Sequence, residues 1–447
     1  MATIFGKNRV ELLGNKVQNK GISRGAFLKM LVVGGMALII KECIPAVGFM
    51  TEPLKTLAAG KRGPAFIVSQ GVNLNRPFLG VHKINRGDYS SIAYNDAPEQ
   101  SKQKIIELTK QYGFGTIRIN AGVLPLLEGR PNDVKEQLGV LDTFISSALS
   151  SGLKVILSLH TLESTGIWTS TAILSDPSGK SQQAYRDMVA FVAHEESKRN
   201  SAEFALALFN EPPTCHSDKD FAQWSDFQEK LYTAARQSAP NLTLILTGPC
   251  FSAVNGIVKI DPEPYDENTI FDMHFYEPTI FTQQGNYGGQ NYTNYVHRLG
   301  FPPNKAQKEE FLLHFHKEEK AADLPLDLQL KFENWVQHDA DEYFNKGANL
   351  VTQRLNTFFQ WARSHQISPQ RLMVGEFGVR RDYLGHVAAD ESDRLRWLSA
   401  VRGQIEANDA GWVFYALIGP WGLTSEDMSE PADPQIFDAL NLKRPVH

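Results

Sequence analysis

Residues 204–212 read Phe-Ala-Leu-Ala-Leu-Phe-Asn-Glu-Pro, an apolar run that ends abruptly in an amide, a carboxylate and a proline. Six consecutive apolar residues are typical of a strand that is buried on both faces, as the strands of a parallel sheet are. A charged group is costly to bury, so Glu211 at the end of such a strand indicates a functional site.

Seven further apolar runs have the same character, and amphipathic stretches separate them. The eight predicted strands are 65–74, 116–120, 154–160, 204–209, 242–247, 270–276, 372–377 and 412–418. The predicted helices between them include 99–112, 134–151, 181–199, 221–238, 348–365 and 390–408. Strands that alternate with helices eight times predict an α/β fold, a (β/α)8 TIM barrel. An open doubly wound sheet is the alternative, but no glycine-rich phosphate loop follows the first strand.

One connection in this pattern is unusually long. About 277–345 lie between the sixth and seventh strands, far more than the usual loop length. We expect this insertion to rise over the catalytic end of the barrel and to wall its cleft. No internal repeat or low-complexity linker interrupts 65–447, so we predict one catalytic domain. The insertion is rich in aromatic residues, among them Phe281, Tyr287, Tyr292, Tyr295, Phe301 and Trp335.

The charge distribution separates the N-terminus from the rest of the chain. The net charge is −5 with no Lys/Arg-rich run, which argues against nucleic acid as a partner. Residues 1–48 nevertheless carry seven basic and two acidic side chains. Within this segment most of the basic residues come first, then the apolar run 31–40, then Ala-Val-Gly at 46–48. This order predicts an export signal to the periplasm or beyond, with 49–64 as a linker. The segment 23–29 is similar to a twin-arginine motif, with Gly25 in place of the second arginine.

The apolar run of the leader is cut short by Lys41 and Glu42, so we expect no stable membrane insertion. A non-exported chain with an amphipathic N-terminal extension is the alternative. Outside the leader the chain has two cysteines, Cys215 and Cys250, which follow successive predicted strands. We expect two separate buried thiols rather than a bridge, because free cysteine is usually buried.

The ends of the predicted strands carry the chemistry, because barrel active sites form at the C-terminal ends of strands. Glu211 and Glu376 end strands four and seven, which face each other across a barrel. Retaining glycosidases need two carboxyl groups about 5 Å apart. We therefore predict Glu376 as nucleophile and Glu211 as acid/base, with its pKa raised by the neighbouring carboxylate.

The other strand ends offer supporting groups. Arg118 can hold Glu376 ionised, unless it pairs with a surface carboxylate. Asn210 can bind the sugar 2-hydroxyl. His160 and His274 can bind further hydroxyls or orient Glu211, although His160 can also be a core histidine whose ring nitrogens have protein partners.

Aromatic residues form a second set of candidates. Tyr276 can donate a hydrogen bond to the nucleophile, and Trp168 and Trp421 are candidates either for stacking on sugar rings or for anchoring loops.

These residues resemble glycoside hydrolase family 5, the cellulase family, over roughly 65–425. The resemblance lies in Asn210-Glu211-Pro212, in Gly375-Glu376-Phe377-Gly378, in His274-x-Tyr276 and in Arg118. Residues 277–285 are also similar to bacterial members. The family usually presents a tryptophan on strand eight, where this chain has Tyr415; Trp421 is the candidate to serve instead.

The residues and the resemblance together predict a retaining hydrolase of β-linked glucan, most simply an endo-β-1,4-glucanase. We expect a monomer that needs no cofactor or metal and acts on a β-glucan polysaccharide or oligosaccharide. The open alternatives are a mannanase, an exo-β-glucosidase, a transglycosylase and a catalytically silent carbohydrate-binding barrel. A metal-dependent barrel hydrolase is disfavoured because His82 has no near histidine partner.

Overall fold

The computed structural model of the chain describes residues 64–79, 99–129, 131–161, 168–176, 178–215, 217–287 and 290–445. The predicted export signal at 1–48, the predicted linker at 49–64 (apart from Pro64) and His82 lie outside these ranges. No helix within them has both the length and the apolar character needed to cross a bilayer.

Eight parallel strands close into a barrel in chain order, which confirms the predicted (β/α)8 fold. Nearly every strand residue is buried, because the strands face side chains inside the barrel and helices outside it. This explains why the strands read as apolar runs without alternation. The strands are β1 (Gly71–Leu74), β2 (Thr116–Gly122), β3 (Lys154–His160), β4 (Phe204–Ala207), β5 (Thr243–Thr247), β6 (Thr269–Phe275), β7 (Leu372–Phe377) and β8 (Gly411–Phe414).

Helices follow the strands at the predicted places. The turns after two of them use Gly113 and Gly152, both at a φ of 83°, a left-handed conformation that glycine adopts without strain. The helices are α1 (Glu99–Gln111), α2 (Leu124–Glu128), α3 (Pro131–Ser150), α4 (Ser170–Ser175), α5 (Lys180–Glu196), α6 (Asp218–Ser238), α7 (Val254–Ile257), α8 (Thr279–Thr282), α9 (Lys308–Ala321), α10 (Leu326–Lys346), α11 (Asn349–Ser364), α12 (Glu391–Glu406) and α13 (Pro434–Ala439). Short 3₁₀ segments lie at Tyr292–Tyr295, Lys305–Gln307 and Pro369–Arg371.

The first strand is shorter than its apolar run predicts. Residues 65–70 precede β1, and Phe66 and Val68 pack with strand residues in a second core cluster. The amide of Phe66 donates to Thr243 at the start of β5, and the ammonium group of Lys154 at the start of β3 donates to the carbonyl of Ile67. The segment is therefore apolar because it plugs the N-terminal end of the barrel, not because it extends the sheet.

The long insertion after β6 has secondary structure of its own. Helices α9 and α10 form about half of it, and Phe281 stacks on Tyr343 of α10. Phe281, Tyr292 and Phe301 are buried, while Tyr287 and Trp335 remain partly exposed. Several of its aromatic residues thus form the core that lets the insertion fold onto the barrel.

The expectation of two separate thiols is wrong. Cys215 and Cys250 form a disulfide, with Cα atoms 4.7 Å apart. The two residues are 35 positions apart in sequence, but they follow neighbouring strands, and the turn after β5 folds against the turn after β4.

Candidate active site

The C-terminal ends of the strands bring Glu211 and Glu376 to one place. A carboxylate oxygen of each glutamate and a ring nitrogen of His274 all lie within 4.8 Å of one another. His274 pairs with Glu376 in the register of β6 and β7, and Glu211 follows β4 on the other side of His274. The two carboxyl groups therefore face the same small volume.

Glu376 is fixed from two directions. Its side chain is only 6% exposed, and Oε1 accepts a hydrogen bond of 2.6 Å from Nη1 of Arg118. Oε2 accepts a second bond, of 2.9 Å, from the hydroxyl of Tyr276. Burial raises the pKa of Glu376, and the positive charges of His274 and Arg118 act against this rise. Burial, followed by the charge of Glu376, also holds the pKa of Tyr276 well above its usual value, so that this hydroxyl keeps its proton.

Arg118 is the centre of a buried amide network. The side chain is fully buried, and Nη1 also donates to Oδ1 of Asn73 and of Asn120, at 2.8 and 3.0 Å. Nη2 donates to Oδ1 of Asn210 at 2.9 Å. The prediction that Arg118 holds the nucleophile matches this geometry, and the alternative of a surface ion pair does not. Because Oδ1 of Asn210 is bound to Arg118, its amide NH₂ is left to meet a substrate.

Glu211 is held more loosely. Its side chain is 33% exposed, and the side-chain hydrogen bond that holds it joins Oε1 to Nδ1 of His274 at 2.8 Å. The backbone of Glu211 has a φ of 46°, a left-handed conformation that is uncommon for a residue with a side chain. Such strain concentrates at functional sites, where the surrounding structure enforces it.

His274 connects the two glutamates to a third carboxylate. Its Nδ1 lies 3.7 Å from Oε2 of Glu376, and its Nε2 lies 3.5 Å from Oδ2 of Asp272. Burial by itself lowers the pKa of His274, but the negative charges of Glu376 and Asp272 outweigh burial and raise this pKa to about 10. The ring is therefore protonated near neutral pH and can donate from both nitrogens.

Asp272 is a site residue whose role the sequence does not reveal. It is fully buried below His274, lies 3.8 Å from Nη2 of Arg118 and accepts the amide of Gly375 at 2.7 Å. A Cβ atom at position 375 would lie 2.2 Å from Oδ1 of Asp272, which explains the glycine before Glu376. The available signal is an acidic residue inside the apolar strand Thr269–Phe275.

Asn73 and Asn75 are also missed by sequence reasoning. Asn73 donates to the carbonyl of Gly375 and accepts from Arg118, and Asn75 donates to the hydroxyl of Tyr415 at 2.6 Å. The signal that could have found them is their alternation with Val72 and Leu74 in an otherwise apolar run.

An aromatic cluster flanks Glu376. The rings of Tyr276, Tyr415 and Trp421 meet edge to face, with centroids 5.1 to 6.1 Å apart. Tyr415 thus occupies the position after strand eight on the side of Glu376, and Trp421 joins it. Arg394 of α12 donates from Nη2 to the carbonyls of Trp421 and Gly422 and so fixes this loop.

The two remaining predicted residues, His160 and Trp168, lie in different surroundings. His160 is buried at the end of β3 near Arg118 and His274; burial, then these two charges, lowers its pKa well below the usual value, and the ring is neutral. Trp168 is buried in the main core cluster. Its placement fits the loop anchor better than the stacking platform.

Within the part of the chain that the structure describes, two groups could hold a metal ion by distance alone: Glu211 with His274 and Glu376, and the group His316, Glu319 and Glu333. In the first group Oε1 of Glu376 accepts from Arg118, and Oε1 of Glu211 lies 2.8 Å from Nδ1 of His274, so these atoms already have partners. The group of Glu211, His274 and Glu376 fits proton transfer and covalent catalysis better than metal binding.

A barrel that ends strands four and seven in such a pair of glutamates is the architecture of a glycoside hydrolase. The model "Cellulase (glycosyl hydrolase family 5)" matches residues 80–419, and the chain belongs to this family.

Several known proteins are similar to this chain in sequence or in fold. Endoglucanase 3 of Fibrobacter succinogenes is 21% identical over 283 residues, which are 63% of this chain and 39% of that protein, so the chain spans well under half of that relative's length. The cellulose synthase subunit Z of Clostridioides difficile has a similar structure, with a TM-score of 0.59, 18% identity, and coverage of 83% of this chain and 99% of that one. Cel5A of Thermotoga maritima, solved with cellobiose and with mannotriose, gives a TM-score of 0.57 at 16% identity and covers 84% of this chain and 97% of that one.

Proposed function

We propose that this glycoside hydrolase is a retaining endo-β-1,4-glucanase that cleaves β-linked glucan by double displacement. The observation that carries the proposal is the separation of the two glutamates: one carboxylate oxygen of Glu211 and one of Glu376 lie within 4.8 Å of each other. Retaining enzymes need about 5 to 5.5 Å between the carboxyl groups, whereas inverting enzymes need about 6.5 to 9.5 Å to fit a water molecule.

In the first step Glu376 attacks the anomeric carbon and forms a glycosyl ester as the glycosidic C–O bond breaks. Glu211 gives its proton to the leaving oxygen in the same step. Arg118 and Tyr276 aim one oxygen each of Glu376, so that the carboxylate is positioned before the substrate arrives.

In the second step Glu211 takes a proton from water, and the resulting hydroxide attacks the anomeric carbon. The ester bond to Glu376 breaks, and the sugar leaves with its original β configuration. His274 donates to Oε1 of Glu211, which leaves Oε2 to exchange the proton. The partial exposure of Glu211 gives water access to this oxygen. Asn210 can donate its free amide to the sugar 2-hydroxyl, an interaction that strengthens in the transition state.

The substrate is the part of the proposal that rests on relatives. One relative carries the name endoglucanase, and a structural neighbour was solved with cellobiose, which supports a β-1,4-glucan. The same neighbour was also solved with mannotriose, so mannan is the second candidate.

Two measurements test the proposal. Proton NMR early in the digestion of a cello-oligosaccharide should detect the β-anomer first; an initial α-anomer would mean inversion and would overturn double displacement.

Product profiles on barley β-glucan, carboxymethylcellulose, mannan and laminarin should show internal cleavage of the first two. Preferred cleavage of mannan would make the enzyme a mannanase, release of single terminal sugars an exo-glucosidase, and transfer to added sugar a transglycosylase. No release from any of them would favour a silent carbohydrate-binding barrel.

We also propose that the chain is exported and acts as a monomer. The basic leader with its apolar run supports export, and so does the disulfide between Cys215 and Cys250, because disulfides persist in oxidising compartments. Fractionation of expressing cells should recover the enzyme outside the cytoplasm. Size-exclusion chromatography with light scattering tests the oligomeric state.

A further inference from the structure

Helix α9 carries a carboxyl group where its packing calls for an apolar side chain. Helices α9 and α10 are joined by residues 322–325 and pack against each other in the insertion after β6. The buried face of α9 consists of Leu312, Phe315 and Glu319, at the three- and four-residue spacing of a helix face that lies on a core. The first two residues are apolar, but Glu319 is only 3% exposed and ionisable. Burial of a carboxylate is costly unless the group has partners.

Glu319 lacks the partners that usually compensate for such burial. Its Oε1 is buried and accepts no hydrogen bond from the residues that the structure describes. Among these residues, the one basic group at ion-pair distance is the ring of His316, whose Nδ1 lies 3.9 Å from Oε2 and is too far for a hydrogen bond. Glu196, which is similarly buried on α5, has the guanidinium group of Arg199 as its partner. Within the described ranges, no arginine or lysine does the same for Glu319.

Two further groups that can bind a metal converge on Glu319. His316 precedes it by three positions, so both side chains project from the same side of α9. Glu333 comes from α10, and one ligand atom of each of the three residues lies within 4.8 Å of the other two. Atoms that bind one ion at about 2.1 Å in a tetrahedron lie about 3.5 Å apart. The exposed side chains of His316 and Glu333 can rotate to close this difference, while Glu319 is fixed by its burial.

The types of ligand indicate which ion fits. Imidazole nitrogen and carboxylate oxygen both bind zinc, whereas calcium and magnesium prefer a shell made entirely of oxygen. Three protein ligands leave one tetrahedral position for a water molecule, and the exposed sides of His316 and Glu333 provide room for it. A divalent cation would also balance the two negative charges of Glu319 and Glu333. The group therefore fits zinc better than it fits an ordinary ion pair.

We propose that His316, Glu319 and Glu333 bind one zinc ion, which cross-links α9 to α10 and stiffens the insertion. The ion is structural, and the proposal goes beyond the proposed function because it requires no catalytic step. The three ligands come together only when the two helices pack, so the free energy of zinc binding adds to the stability of the folded insertion.

The first test measures zinc binding by two histidine variants. Isothermal titration calorimetry with zinc chloride, on untagged full-length protein stripped with EDTA, should give one ion per chain for the wild type. His316→Gln should weaken binding by more than about 100-fold, because loss of a ligand costs more than the 10- to 100-fold loss of a group that only supports one. His314→Gln is the matched control. His314 lies on the same helix with a similar exposure of its side chain, 53% against 46%, but outside the group. Its variant should bind zinc as the wild type does, and equal affinities of the two variants would overturn the proposal.

The second test locates the ion. In hydrogen–deuterium exchange, zinc should slow the amides of α9 and α10 in the wild type but not in Glu319→Leu. This variant places an apolar residue at a core position, so it should fold, with a Tm in EDTA at or above that of the wild type.

Three results would contradict the site. Glu319→Leu could bind zinc as tightly as the wild type, or zinc could slow exchange around Glu211 and Glu376 instead of in α9 and α10. The wild type could also bind no zinc, and Glu319 would then be a carboxyl group that is buried in its protonated form.

Discussion

The two glutamates at the mouth of the barrel are held in opposite ways. Glu376 is almost fully buried, and both of its oxygens are occupied, by a guanidinium group and by a phenol. Glu211 is one-third exposed, sits on strained backbone, and has its Oε1 bound by His274. A nucleophile must be aimed and kept from solvent, whereas an acid/base must exchange a proton with water in every cycle. The difference in surroundings is the one that the proposed roles require, with Glu376 as nucleophile and Glu211 as acid/base.

The largest expected loss of activity comes from changing Glu376, the buried glutamate. Glu376→Gln keeps the shape but removes the nucleophilic oxygen, so kcat should fall by about 10⁴-fold or more. Initial rates on the preferred glucan measure this loss. Glu107→Gln, an exposed change on α1, is the control and should be silent. Substantial turnover by the Glu376 variant would show that the buried glutamate is not the nucleophile.

Removal of the partly exposed Glu211 should reduce the rate less and should change which azide product forms. Glu211→Ala should lose about 10²- to 10⁴-fold on unactivated glucan, the usual contribution of general acid/base catalysis. Azide needs no general base, so it should restore turnover of an activated aryl glycoside and yield the β-glycosyl azide. The same experiment on Glu376→Ala should yield the α-azide, because azide then enters from the face that the nucleophile occupies. Identical anomers from both variants would contradict the assignment of roles.

A smaller effect is expected when one restraint on Glu376 is removed. Tyr276→Phe deletes the hydrogen bond to Oε2, and a hydrogen bond to a charged group contributes about 1.5 to 3 kcal/mol. We expect kcat/KM to fall about 10- to 100-fold. The lost donor stabilised the carboxylate, so the pKa of Glu376 should rise and the acid limb of the pH profile should move to higher pH. An acid limb that does not move would mean that this limb does not report Glu376.

The last expected effect is on stability rather than on rate, and it concerns His274, which lies between Glu211 and Glu376. Its pKa is raised to about 10 in the folded protein, against an ordinary value of 6.5. The stabilisation that this shift contributes is fully present below pH 6.5 and is lost as the pH rises through 10. Chemical unfolding of wild type should therefore give a free energy that declines between these pH values. His274→Gln, although less stable overall, should decline less over the same range; parallel curves would mean that His274 is not charged in the folded state.

The strand ends could be predicted because an unfavourable burial is visible in a sequence. Glu211, Glu376, Arg118 and His274 each interrupt or end an apolar strand, and the order of strands in a barrel places them on one face. The loops were less accessible to this reasoning. The apolar segment 65–70 has the composition of a strand and plugs the barrel instead, because burial favours the same residues in both settings.

Tertiary proximity explains what was missed. Asn73 and Arg118 are 45 residues apart, and Arg118 and Glu376 are 258 apart, so no local pattern reveals that they share one network. The disulfide is a similar case. Cys215 and Cys250 lie in loops whose approach depends on the turn after β5, and the left-handed backbone of that turn is not encoded by glycine.

The sequence alone determined the barrel, the two glutamates and most of the polar groups around them. Hydrophobic periodicity and the presence of a charged residue in an apolar strand are local properties of the chain, and both can be recognised in the sequence. Only the tertiary structure decided how each glutamate is held, that Asp272 lies beneath them, and that the turn after β5 is cross-linked to the loop of Glu211. These features depend on distances between residues far apart in sequence, and such distances exist only once the chain has folded.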